Sequence, residues 1–138
     1  MDTTRAPQSA DRCRVLLAGP DGWREQLRPA FAADDAVAVW TAATVEEAVG
    51  TATDRRAAVD CVVSAGRLDD ATGLDLLDAL RSRAADLPVV LAPNDGSESL
   101  ASDAIASGVT DYVPADADDE TLRRRCREAI DRGDDRRR

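Results

Sequence analysis

With 138 residues the chain is long enough for one domain with its own core, and no apolar run in it approaches the ~20 residues of a membrane helix. Histidine and lysine are both absent, all 18 basic residues being arginine; this excludes imidazole acid–base catalysis, a phosphohistidine relay, Schiff-base chemistry and a P-loop lysine. A net charge of −9, with aspartate far ahead of glutamate, argues against a nucleic-acid partner, because phosphates would be repelled.

Residues 1–11 are polar and lack the apolar stretch of a secretory leader, so a soluble, cytoplasmic protein with no membrane partner is expected. Residues 14–18 (Arg-Val-Leu-Leu-Ala) read as a first strand. A helix follows over about 22–33, with Trp23, Leu27, Ala30 and Phe31 on one face. Residues 36–40 form the second strand. Thr44-Val-Glu-Glu47 then opens the second helix with a capping box, its inner stripe being Val45, Ala48, Val49 and Ala52. The third strand covers 59–64. After a loop over 65–71, Thr72 with Asp75 caps a third helix that turns Leu76, Leu77 and Leu80 inward.

Residues 88–92 read as the fourth strand, and Ser97 caps a fourth helix with Leu100, Ala101, Ala104 and Ile105 facing in. Gly108 ends that helix, since glycine tolerates the left-handed conformation at C′. A short fifth strand at 111–113 precedes a last helix over about 118–131, with Leu122, Cys126, Ala129 and Ile130 inside. Strict alternation of strand and helix, with strands apolar on both faces, implies an α/β fold: a doubly wound, five-stranded parallel sheet with five helices. One domain over 12–132 is expected, with polar tails at 1–11 and 133–138. The cysteines, Cys13, Cys61 and Cys126, form no CxxC or Cys/His group, so no zinc or other metal site and no cofactor is expected. Cys61 and Cys126 read as buried free thiols. Abundant aspartate and alanine without lysine looks like a halophile's composition or that of a GC-rich genome.

Two stretches carry a resemblance. One is Val59-Asp-Cys-Val-Val-Ser-Ala-Gly-Arg-Leu-Asp-Asp-Ala-Thr-Gly-Leu-Asp-Leu-Leu77, a strand, an aspartate loop and a Gly-Leu-x-Leu-Leu helix start. The other is Ser102-Asp-Ala-Ile-Ala-Ser-Gly-Val-Thr-Asp-Tyr112. Together they resemble the receiver domain of two-component response regulators, over about 12–132. The resemblance implies a flavodoxin-like sheet of order 2-1-3-4-5 with its site at the strand C-termini. In that family carboxylates after the first strand hold Mg²⁺, an aspartate ending the third strand accepts the phosphoryl group, and a Ser/Thr and a lysine meet its charge.

This chain departs from that pattern at nearly every position. The acidic pair falls at Gly19 and Pro20, the acceptor at Ala65, the Ser/Thr at Pro93 and the lysine near Ala115. Only the switch-position aromatic survives, as Tyr112. The resemblance is therefore to a degenerate receiver, a pseudo-receiver, with no catalytic residue. Asp21, Asp69 and Asp70 are either solvated acids or displaced acceptors. Arg67 could close on Asp21 in the vestigial site as an internal cation, or point to solvent.

Residues 121–138 carry eight arginines against four acids. This reads as a solvated helix end favoured by the helix dipole, or as a partner surface. For the latter, Arg124 and Arg127 would join a face built from the fourth helix, fifth strand and fifth helix. A non-enzymatic, phosphorylation-independent protein-interaction module is the leading expectation, with a protein partner or a second copy of the chain. A working phosphorelay receiver and a small-molecule sensor using the vacated crevice are the alternatives.

Overall fold

The computed structural model describes residues 13–137, with side chains as far as 132. The expected tail at 1–11, the expected first domain residue Arg12, and Arg138 lie outside the described residues. In chain order the elements are β1 (Cys13–Ala18), α1 (Asp21–Ala32), β2 (Val37–Ala42), α2 (Val45–Ala52), β3 (Cys61–Ser64), α3 (Gly73–Arg83), β4 (Val89–Leu91), α4 (Glu98–Ala106), β5 (Asp111–Tyr112) and α5 (Asp119–Arg137). The strands form one sheet of order β2-β1-β3-β4-β5, every pair parallel. This is the doubly wound, flavodoxin-like arrangement that the alternation of elements and the resemblance implied.

Alternation along the strands builds a core on each face of the sheet. Val15 and Leu17 of β1 and Val63 of β3 pack with Trp23, Leu27 and Phe31 of α1 and with Leu122 and Cys126 of α5. Leu16, Val62 and Val89 point the other way, onto Leu76, Leu77 and Leu80 of α3 and Ala48 and Val49 of α2. Each of these large aliphatic side chains, buried, is worth about 1.5–3 kcal/mol of transfer free energy. Among the described residues, no helix is long and apolar enough to cross a membrane.

Helix ends follow the expected chemistry, with one shift. Thr72 Oγ1 accepts from Asp75 N–H and Asp75 Oδ2 accepts from Thr72 N–H, each at 3.1 Å, a complete capping box. Thr44 Oγ1 accepts from Glu47 N–H at 3.1 Å, but Glu47 Oε1 reaches back to Ala43 N–H, one residue before the cap. Ser97 Oγ caps α4 through Leu100 N–H at 3.0 Å. That helix ends at Gly108, where φ is +90°. There Gly108 N–H bonds Ile105 O and Val109 N–H bonds Ala104 O, a Schellman closure.

Two expectations fail. Ile105 is 70% exposed, not inward. The buried stripe of α4 centres on Ala104 with Leu100 and Ala101 half-buried, and the next residue along is turned about 100° round the helix. The last helix does not stop near Asp131 but runs through Gly133 to Arg137, so the expected tail at 133–137 is helical backbone. Arginine is a good helix former, and propagating a turn across one glycine costs only about 1 kcal/mol.

Candidate functional site at the strand C-termini

The order of strands reverses between β1 and β3, and a crevice opens beyond their C-terminal ends. β1 leads into Gly19, whose N–H bonds Ala42 O at 2.9 Å, and Pro20 then stands at the N-cap of α1 without a side-chain cap. From the first turn of α1 the Trp23 side chain folds back under this connection. It is 4% exposed, and its Nε1–H donates to Ala92 O at 2.8 Å, beyond the end of β4. A Cβ placed on Gly19 would stand 2.5 Å from Trp23 Cε3 and 2.8 Å from Ala65 Cβ. The indole thus fills the space that a side chain at residue 19 would need.

β3 delivers Ala65, buried, with its N–H on Ala18 O at 2.9 Å. Ser64 beside it is buried, and its hydroxyl donates to Ala65 O at 2.9 Å. Ala115, also buried, bonds Pro93 O at 3.1 Å. A hard divalent cation needs several oxygen ligands. Gly19, Pro20 and Ala65 offer no side-chain oxygen, and the Mg²⁺ of the related chemistry does not fit here. Among the described residues, no group of three or more His, Cys, Asp or Glu stands together as metal ligands would.

Of the two readings of Arg67, pairing with Asp21 does not occur and the outward one does. Asp21 is 84% exposed at its side chain and pairs with Arg24, three residues on. Arg67 belongs to a narrow antiparallel bridge with Thr72, closed by Leu68 N–H on Ala71 O and Gly73 N–H on Gly66 O. That bridge buries Leu68 and turns Arg67 outward, to the rim of the crevice. Asp70 Oδ1 accepts from Val45 N–H at 2.9 Å, so its carboxylate caps α2. Asp69 is exposed, and its N–H is bonded to Ala43 O. Neither aspartate lines the crevice.

Tyr112 is half-buried on β5, and its hydroxyl accepts from Ser97 N–H at 3.2 Å. A Cβ on Gly96 would collide with that hydroxyl, so the tyrosine packs on bare backbone. Beside it, Pro93, Ala101, Tyr112 and Pro114 line a groove of about 420 Å³ between α4 and β5.

The arginines of α5 divide between two faces. Arg127 pairs with Asp34 at 2.5 Å and Arg123 donates to Ala30 O, so both lie toward α1 and not on the α4–β5 face where Arg127 was expected. Arg124 is exposed and stands 3.8 Å from Glu128. The side facing β5 carries Arg125, bidentate to Asp111 at 2.6 and 2.7 Å, and Arg132, bonded to Thr110 O. Burial raises the Asp111 carboxyl, but the bonds from Arg125 and from Tyr112 N–H outweigh it, and the carboxyl is held below the usual range.

Cys13, Cys61 and Cys126 meet at the start of the sheet, all free, with Cys61 and Cys126 fully buried as expected. The site residue that sequence reasoning missed is Trp23, taken only as core. Its position four residues after Gly19, one turn into the helix, was the available signal.

Comparison with known proteins agrees with this geometry. The family model for the response regulator receiver domain matches residues 21–127. The photosynthetic apparatus regulatory protein RegA of Rhodovulum sulfidophilum is 42% identical over 57 residues; these are 40% of this chain and only 31% of that protein. Among solved structures, the signal receiver domain of an HD domain-containing protein from Pseudomonas fluorescens Pf-5 superposes with a TM-score of 0.78 at 22% identity, covering 90% of this chain and 98% of that one. The non-phosphorylated HemR receiver domain from Leptospira biflexa gives 0.72 at 26% identity, over 86% and 94%. A family match from α1 into α5, on a sheet of this order with its crevice at the strand ends, has one meaning: the chain belongs to the response regulator receiver domain family.

Proposed function

We propose that this receiver domain acts in signal transduction as a non-enzymatic, phosphorylation-independent interaction module, in the cytoplasm. The observation that carries this reading is the Trp23 indole, hydrogen-bonded to Ala92 O in the space that a side chain at residue 19 would need, above an acceptor position held by Ala65. A phosphoryl acceptor needs a nucleophilic carboxylate and a metal to neutralise it; Ala65, Gly19 and Pro20 carry no side-chain oxygen for either role, which supports this reading. Asp70 is engaged as a helix cap, and Asp21 is paired with Arg24.

The interaction itself is assigned to the α4–β5–α5 face. It presents exposed Ile105, the groove beside Tyr112, and the Asp111–Arg125 pair. The Tyr112 ring, tied to Ser97, serves there as a fixed part of the surface. The partner is a protein, with a second copy of the chain the first to try. Arg127 lies on the α1 side and serves as a control position.

Incubation with acetyl phosphate and Mg²⁺, followed by intact mass measurement, tests the reading. No added phosphate is expected. Stoichiometric, hydroxylamine-labile labelling would establish a displaced acceptor and overturn it.

A further inference from the structure

The crevice keeps a volume of about 380 Å³, within the range of small-molecule sites. Its lining is mixed: Trp23, Ala65 and Pro93, themselves almost wholly covered, make its floor, and half-buried Pro20 and, from α4, Leu100 stand at its sides. Because the indole N–H of Trp23 is already bonded to Ala92 O, the ring offers the crevice only carbon. Polar groups gather at the rim: Arg67, Asn94 and Asp95. The Arg67 guanidinium makes no ion pair among the described residues. Its backbone is fixed by the bridge to Thr72, so its stem leaves from a constant point.

We propose that this crevice is a non-covalent site for a small organic acid with a single carboxylate on an apolar body. Arg67 takes the carboxylate, since a guanidinium presents paired N–H donors that match its two oxygens. The body lies between Pro20 and Leu100, over a floor where Pro93 and the edge of Trp23 reach the crevice. Asp95, on the same rim, repels a second negative charge, which favours a monoanion over phosphate or a dicarboxylate. An occupant of this kind touches both α1 and α4, and so joins the crevice to the helix that carries Ile105. This site exists whether or not the α4–β5–α5 face binds a protein.

The probe is sodium benzoate, titrated at constant ionic strength into a Trp40→Phe variant, where Trp23 is the only remaining tryptophan. Trp40 is 43% exposed, so its replacement leaves the core intact. A saturable change in Trp23 fluorescence is expected, weakened about tenfold by Arg67→Ala, the loss of a charge-assisted hydrogen bond. Benzyl alcohol and inorganic phosphate should give no such change. Amide shifts at Gly66 and Leu100 in the unmutated chain provide a second readout. An absent or non-saturating response, an equal response to benzyl alcohol or phosphate, or full binding by Arg67→Ala would each overturn the proposal.

Discussion

At the scale of single residues, the close packing of Trp23 against Gly19 is the tightest feature of the crevice. The indole lies where a side chain at residue 19 would stand and satisfies its own N–H on Ala92 O. Gly19 is held to glycine by that ring and by Ala65, not by its backbone angles. Gly19→Ala should therefore cost about 1–3 kcal/mol, the usual range for overpacking, read as a lower midpoint in urea unfolding. In a Trp23→Ala background the same change should cost less, the remainder coming from Ala65 Cβ. Equal costs in both backgrounds would show that the ring is not the constraint. Part of the residue-level pattern was legible beforehand: Gly19, Pro20, Ala65, Pro93 and Ala115 follow the C-terminal ends of β1, β3, β4 and β5, where the spacing put them. What stayed hidden was pairing across loops. Arg67 is turned outward by a bridge whose path no spacing reveals, and Asp70 caps a helix 25 residues earlier in the chain.

At the scale of elements, the caps were the most reliable signals, because they depend on short-range chemistry. Thr44, Thr72, Ser97 and Gly108 all stand at helix ends. The reciprocal Thr72–Asp75 box holds the start of α3 directly behind the β3 loop, so it positions Arg67 as well. Thr72→Ala should lower stability by about 1 kcal/mol, as N-cap losses do, measured by thermal or urea unfolding; Thr72→Ser should retain most of it. Periodicity was a weaker guide on α4, where it put Ile105 inside. A repeat of apolar residues fixes which side of a helix is apolar, but not how far around that side the sheet and its neighbours extend. In α4 only Ala104 is fully buried, so its covered stripe is narrow and Ile105 falls outside it.

At the scale of the whole molecule, the ionisable groups set a dome of stability against pH. Asp75, Asp111 and Asp118 have carboxyls held below their ordinary values. Their contribution is present above the unfolded carboxylate range and lost as pH falls through their folded values. At the other limit, burial first and Asp60 second push the Cys13 thiol up to about 11 from 9.0, and the Cys61 thiol, hydrogen-bonded with the Cys126 thiol and buried, is raised too. The unfolded chain therefore ionises its thiols first, so stability falls as pH climbs from 9 toward 11. Cys13→Ala should flatten that alkaline limb in urea unfolding series while leaving the acid limb unchanged. A limb of unaltered slope would place the effect on another group. The layered α/β class was legible at this scale from alternation, since two-sided apolar strands are satisfied by helices on both faces; the strand order came from the resemblance.

The bond from Trp23 to Ala92 O is neutral at both ends. Neither an indole N–H nor a backbone carbonyl carries a charge that a phosphoryl donor or a divalent cation would neutralise. On the proposed reading the domain presents its surface without covalent modification, so the strength of its message follows from how many copies the cell keeps and from what fills the crevice.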